Sequence, residues 1–178
     1  VEIGDNNDIR EFVTIHLATG EGEKTRVGSD NLLMAYVHIA HNCHIQDKVI
    51  LANAVNLAGH VTVEECATVG GLTPVHQFVR IGAHSFIGGG SRLPQDVPPF
   101  IKVAGNPVEV AGINSIGLKR NGFSDLEIMN LRKAYRFLYR SGLNVTQALE
   151  RIAADCELTT PVEDLMAFLR RSDRGIVR

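Results

Sequence analysis

The sequence predicts a mainly β fold: a parallel β-helix built from six-residue repeats, followed by a C-terminal α-helical segment. Three observations predict it. An aliphatic residue recurs every six positions, at Val27, Leu33, Ile39, Ile45, Leu51, Leu57, Val63, Val69, Val75, Ile81, Ile87 and Leu93. Four residues after most of these stands a second, mostly small residue, among them Val37, Cys43, Val49, Val55, Val61, Ala67, Thr73, Val79, Ser85 and Ser91. Beyond Asp96-Val97-Pro98-Pro99 this period stops and helical patterning takes over.

A helix needs a period near 3.6 and a simple strand a period of 2, so six fits neither. It fits a solenoid in which each hexapeptide makes one short strand and one turn, and three make a triangular coil of about 18 residues. The aliphatic points into the prism and the small residue fits beside it near the corner. Successive coils stack about 4.8 Å apart, the strand spacing of a sheet. Glycine often follows the aliphatic, as in Ile3-Gly4, Val27-Gly28, Val69-Gly70, Ile81-Gly82 and Ile87-Gly88. These glycines are expected to serve turns whose backbone angles other residues avoid.

In chain order, Ile3, Ile9 and Ile15 already hold the repeat phase. No capping segment precedes them, which leads to the expectation of a longer chain whose N-terminal coils are missing here. Residues 17–26 (LATGEGEKTR) are polar and Gly-rich between two well-matched repeats. They predict a loop pushed out of the wall, of the kind that often covers a site. The β-helix is expected over residues 1–105 and a helical domain over 106–178. Ser124-Asp125-Leu126-Glu127 reads as a capping box, with Leu126, Met129, Leu131, Ala134, Tyr135 and Leu138 as the apolar face of the helix it opens. Asn144 can cap a second helix through Ala148, Leu149 and Ile152, and Pro161 suits the first turn of a third through Leu165, Phe168 and Leu169. The bundle is expected to close the end of the solenoid and hide its edge. Its basic clusters, Lys119-Arg120, Arg132-Lys133 with Arg136 and Arg140, and Arg170-Arg171, offer a dock for an anionic partner.

The formal net charge of −2 gives no global basic field for nucleic acid. No apolar run reaches the roughly 18 residues that span a bilayer, so no stable membrane insertion is expected. Three cysteines with no CxxC pair read as small buried residues in a reducing compartment, which makes the cytoplasm the expected location.

All seven histidines precede residue 85, and His38, His41 and His44 recur every third residue. Gly59 lies 18 residues after His41 and Gln77 another 18 on, so the three should stack in one column. A glycine beneath His41 leaves room for a ligand and bares a backbone N–H, with His60 alongside. A neutral imidazole near a free N–H suits acyl transfer, the first as base and the second as donor to a tetrahedral oxyanion. The same histidines, with His38 and His76, could instead bind zinc through three imidazoles and a water.

Ordered motifs then become specific: Ile9-Arg10-Glu11, Gly28-Ser29-Asp30-Asn31-Leu32-Leu33-Met34-Ala35, His38-Ile39-Ala40-His41-Asn42-Cys43, Leu57-Ala58-Gly59-His60, Val75-His76-Gln77-Phe78, Gln95-Asp96-Val97-Pro98-Pro99 and Gly117-Leu118-Lys119-Arg120. Across essentially the whole chain the sequence resembles the UDP-N-acetylglucosamine O-acyltransferase family of hexapeptide-repeat enzymes. The resemblance implies a left-handed coil and a homotrimer with active sites in the clefts between subunits. It implies transfer of an (R)-3-hydroxyacyl group from acyl carrier protein to the 3-hydroxyl of UDP-N-acetylglucosamine, the first step of lipid A biosynthesis. No cofactor or metal is implied, because the carrier thioester is the activated donor. By the same resemblance, His41 matches the general base and Gly59 the oxyanion donor. His38, His60, His76 and Gln77 match substrate contacts, Asn114 and Arg120 nucleotide-binding positions, and Gly89 a position that limits acyl-chain length. The base is usually followed by aspartate, where this chain has Asn42. An amide orients the ring but supplies no charge, which leaves either a weaker base or another carboxylate in that role. Ile116 and Asn121 depart from an acidic residue and a second arginine of the nucleotide site. A zinc-dependent hydro-lyase of the carbonic-anhydrase type, on the same trimeric scaffold, is the alternative reading.

Overall fold

The computed structural model describes residues 1–178. Two-residue strands stack into three parallel walls. The first carries Glu2–Ile3, Arg26–Val27, His44–Ile45, Thr62–Val63 and Arg80–Ile81. The second carries Asp8–Ile9, Leu32–Leu33, Ile50–Leu51, Thr68–Val69 and Phe86–Ile87, and the third Thr14–Ile15, His38–Ile39, Asn56–Leu57 and Pro74–Val75. Arg26 pairs with His44 and His44 with Thr62, an offset of 18 residues per coil. Glu2, however, pairs with Arg26, an offset of 24. The coil holding the loop is therefore longer by one hexapeptide (24 − 18 = 6), and the phase is kept on all three walls.

Both repeat positions face inward. The aliphatics from Leu33 to Leu93 and the corner residues Val37, Cys43, Val49, Val55, Val61, Ala67, Thr73, Val79, Ser85 and Ser91 are buried. Leu51 is fully buried between Leu33 of the coil before and Val69 of the coil after. Truncating it leaves a cavity that the coils cannot close, because each is pinned to its neighbours by ladder hydrogen bonds. Leu51→Ala is expected to cost about 2–5 kcal/mol, read as a lowered urea midpoint with the slope of the transition unchanged.

The turns differ from expectation. Residues in the left-handed region are mostly not glycine: Tyr36 (φ 64°), Asn42 (61°), Lys48 (56°), His60 (61°), Leu72 (58°) and Phe78 (64°) occupy it at the corners. Such angles cost roughly 1–2 kcal/mol for an L-residue, and here they are held by corner hydrogen bonds such as His60 N–H to His41 O (3.0 Å). The glycines after the aliphatics serve close approach instead. A Cβ on Gly82 would lie 2.3 Å from Pro99 N, and one on Gly70 2.4 Å from Gly89 N.

The expected boundary at residue 105/106 falls inside a hairpin. Ile101–Ala104 extends the second wall in parallel, and Glu109–Ile113 returns antiparallel to it. This second strand and a short helix, α1 (Ser115–Arg120), fill the stretch between the repeats and the predicted helices. Three longer helices follow: α2 (Asp125–Tyr139), α3 (Val145–Asp155) and α4 (Thr160–Arg170). Ser124 and Glu127 form the predicted capping box, Asn144 caps α3 by the same reciprocal pattern with Gln147, and Pro161 stands in the first turn of α4. On α2, Ile128, Leu131, Ala134 and Leu138 face the core, whereas Leu126 and Met129 are exposed. Those two lie on a different face of the helix from Ile128, so the apolar stripe expected from the sequence is out of phase at its start.

The bundle closes the last coil. Phe100 joins the helical core, while Tyr135, Tyr139 and Val177 pack on the solenoid core. The C-terminal tail adds to the sheet edge, with Val177 N–H donating to Asp96 O (2.9 Å) and Ser172 Oγ to the Asp96 carboxylate (2.7 Å). No helix is long and apolar enough to cross a membrane.

Candidate active site

The site forms at the corner between the third and first walls, where each coil turns after its His38-type strand. His41, Gly59 and Gln77 stack there on successive coils, with Phe78 N–H donating to Gly59 O (3.1 Å) in the coil below. The space at Gly59, expected from the sequence to admit a ligand, is filled by His41's own imidazole. A Cβ on Gly59 would lie 2.5 Å from His41 Cε1 and 2.6 Å from Nε2. The glycine thus lets the ring lie close against the backbone. The Gly59 N–H donates to no group of the chain, and so remains available beside the ring.

The tautomer of His41 follows from its partner. Nδ1 is 2.9 Å from Asn42 Oδ1, a carbonyl oxygen that can only accept, and 3.4 Å from Thr19 Oγ1, whose proton goes to that same Oδ1 and which can therefore accept as well. Nδ1 therefore carries the proton and Nε2 presents its lone pair. That is the form a general base needs. His60 meets the His41 ring edge to face at 5.2 Å, and Phe78 stacks on His60 at 4.7 Å. The pair walls the corner on the side of the next coil.

The extruded loop reaches this corner. Thr19 N–H and Oγ–H each donate to Asn42 Oδ1 at 3.0 Å, and Asn42 Nδ2 donates to Thr19 O (3.3 Å) and to the Glu23 carboxylate. Thr25 Oγ1 accepts from Asn42 N–H (2.9 Å). Thr19, Glu23 and Phe78 are site residues that sequence reasoning missed. The break in the repeat marks the loop, but nothing in its composition tells which of its side chains touch Asn42.

Other assigned residues are distributed. His38 lies on the third wall, hydrogen-bonded to Thr14 Oγ1 (2.8 Å) and edge to face with His16 at 4.6 Å. Partial burial and then the nearby His16 lower its pKa below the usual histidine value, which favours a neutral ring. His76 turns Nδ1 to Gln77 O (3.1 Å). Gly89 stands over Gly71 at another edge of the prism, where a Cβ would meet Gly71 O at 3.2 Å. Asn114 is engaged in folding contacts, capping α1 at Gly117 N–H (3.2 Å) and donating to His84 O (3.0 Å). Arg120 is exposed in the last turn of α1. One chain therefore brings His41, Asn42, Gly59, His60 and Gln77 together and keeps Gly89, Asn114 and Arg120 elsewhere.

Two other chemistries fit poorly. Cys43 follows Asn42, but burial pushes its thiol up to about 11, so it is no thiolate nucleophile at neutral pH. No three His, Cys, Asp or Glu side chains of the chain are grouped to share a metal ion. His38, His41 and His76 have their Nδ1 atoms turned to Thr14, Asn42 and Gln77. The zinc hydro-lyase alternative is without support.

Comparison with known proteins points one way. The profile of a family described as UDP-N-acetylglucosamine O-acyltransferase, domain 2, matches residues 96–177. The acyl-(acyl-carrier-protein)–UDP-N-acetylglucosamine O-acyltransferase of Gloeothece citriformis is 55% identical over 97% of this chain and 62% of its own length. The protein of the same name from Herminiimonas arsenicoxydans is 48% identical over 100% of this chain and 70% of its own. The chain thus spans roughly two thirds of the length of these relatives. The solved structure of UDP-N-acetylglucosamine O-acyltransferase from Moraxella catarrhalis superposes with a TM-score of 0.94 at 41% identity, covering 99% of this chain and 69% of that one. The likeness fixes the hand of the coil: the solenoid is a left-handed parallel β-helix.

Proposed function

The chain belongs to the UDP-N-acetylglucosamine O-acyltransferase family, and from that premise we propose that it transfers an (R)-3-hydroxyacyl group from acyl carrier protein to the 3-hydroxyl of UDP-N-acetylglucosamine, in lipid A biosynthesis. The observation that carries the reading is the corner where His41 lies close against Gly59, its Nδ1 held by Asn42 and its Nε2 free.

His41 Nε2 takes the proton of the sugar hydroxyl as that oxygen attacks the thioester carbonyl carbon. The carbonyl oxygen becomes an oxyanion and accepts the Gly59 N–H. Collapse expels the carrier thiolate, which takes the proton back from the imidazolium. Asn42 Oδ1 holds the ring throughout. A positioned base contributes typically about 10²–10⁴-fold and one oxyanion donor about 10²–10³-fold.

His38, His60, His76 and Gln77 line the substrate path. Asn114 and Arg120 contact the nucleotide, and Gly89 leaves the acyl groove open. The separation of these residues over different edges of one prism supports a homotrimer, in which an edge of one copy faces the corner of another. The exposed arginines Arg132 and Arg136 on α2 and Arg140 at its C-terminal cap suit an acidic carrier protein. Three unpaired cysteines fit work in the reducing cytoplasm. The thioester supplies its own activation, so no cofactor takes part.

The test is a mass-spectrometric assay of the protein with 3-hydroxyacyl carrier proteins of several chain lengths and either UDP-N-acetylglucosamine or its 3-amino analogue. An acylated sugar nucleotide is expected. No product with any combination would overturn the assignment.

A further inference from the structure

Asn42 poses a problem that the loop answers. An amide beside a catalytic imidazole has two orientations. With Oδ1 toward His41 it accepts the Nδ1 proton and leaves Nε2 as base. Flipped, its NH2 would donate to Nδ1 and drive the proton to Nε2, which removes the base. Asn42 also lacks the negative charge that would offset an imidazolium.

One side chain bears on both deficits. The Glu23 carboxylate, which can only accept, takes the Asn42 Nδ2–H on the side away from His41. Thr19 N–H, on the same loop, donates to Oδ1 (3.0 Å). The Thr19 hydroxyl can serve either orientation, so Glu23, the Thr19 carbonyl, which accepts from Nδ2 (3.3 Å), and the Thr19 N–H are the groups that select one. Glu23 alone adds charge. The two cations that line its cleft do not compete: Lys24 and Arg26 both pair with Glu2, Arg26 at 3.0 Å. The loop is also shaped around it. Gly20, at φ 112°, has no side chain where a Cβ would stand 3.1 Å from Glu23 Cδ. Glu23 lines the same open polar cleft as Asn42, His44 and His60.

We infer that Glu23 is a positioning residue for the base: through Asn42 it holds His41 in the Nδ1–H tautomer and supplies the negative charge that the adjacent amide lacks. Glu23 touches neither substrate nor the reacting atoms. The inference rests on the acyl-transfer reading only for its kinetic consequence, since the tautomer is a property of the unliganded chain.

The experiment combines kinetics with nitrogen-15 imidazole spectra of the whole chain. Glu23→Gln is isosteric and neutral, and can pair with Asn42 in either orientation. It is expected to lower kcat about tenfold, to leave KM for UDP-N-acetylglucosamine within about twofold, and to add an Nε2–H population to the His41 spectrum. The second variant combines Glu23→Gln with Asn42→Asp. The carboxylate then placed next to His41 accepts from Nδ1 whichever way it turns and carries its own charge. The amide introduced on the loop can still donate to that carboxylate and hold the loop. This double variant is expected to return to within about twofold of the parent kcat. The inference is overturned if Glu23→Gln changes neither kcat nor the tautomer. It is also overturned if the double variant stays as slow as Glu23→Gln, which would make Glu23 a mere latch for the loop. If the parent protein transfers no acyl group while Glu23→Gln still shifts the tautomer, the proposed function fails and the positioning role stands.

Discussion

Replacing His41 by alanine is expected to reduce kcat for acyl transfer by about 10²–10⁴-fold, the full contribution of a positioned base. The size of the effect follows from the isolation of the group. His60 is the nearest other imidazole, but it meets His41 edge-on and is stacked under Phe78, so its ring cannot swing over Gly59. Cys43 is protonated at neutral pH because burial raises its thiol. The fold should tolerate the change, because His41 is only half-buried and its backbone carbonyl, which holds the turn at His60 N–H, is kept. Steady-state kinetics and a melting curve measured together decide the matter. A variant with near-parental turnover would remove His41 from the mechanism, and a collapsed melting point would make His41 a residue of the fold before the chemistry.

Gly59→Ala should be comparably damaging to turnover, by about 10²–10⁴-fold, the range for a displaced base, while leaving stability almost unchanged. The added Cβ needs space now held by Cε1 and Nε2 of His41, at 2.5 and 2.6 Å. The backbone cannot withdraw, because corner hydrogen bonds hold it from above and below, at 3.0 and 3.1 Å. The imidazole has to leave instead, and with it goes the bond to Asn42. Gly59 is not in the left-handed region, so alanine brings no backbone strain. The clash requires a ring to clash with. In a His41→Ala background, Gly59→Ala is therefore expected to cost far less than in the parent, and this non-additivity is the signature to measure. Equal losses in both backgrounds would mean that the methyl blocks the oxyanion position rather than displacing the base.

The solenoid was legible because its core is written at fixed spacing. The aliphatic and the small corner residue are both buried, and burial selects residue type strongly enough to show in one sequence. The His41–Gly59–Gln77 column followed from counting, since wall pairing advances 18 residues per coil. Three things resisted. The corner residues with positive φ include Tyr, Lys, Leu and Phe as well as Asn and Asp; neighbouring coils impose that conformation, so local propensity carries little trace of it. The strand Glu109–Ile113 pairs only through the hairpin with Ile101–Ala104, outside any repeat. The contact of Glu23 with Asn42 spans 19 residues and depends on how the loop folds back, which no periodicity encodes. The base and the loop can each be found by reading along the chain. Their meeting is a tertiary fact.

The loop's length has a consequence of another kind. Because the coil that carries it is longer by one hexapeptide, the wall strands before and after it point the same way as they would without it. Because the extra residues bulge out between wall strands that keep their pairing, every inward residue downstream stays inward. The segment that dresses the base therefore behaves as a cassette, open to replacement or removal without renegotiating the architecture beneath. Change in the catalytic surroundings and constancy of the scaffold are thereby made independent, and a family built this way can vary its chemistry at one corner while the rest of the prism stays as it is.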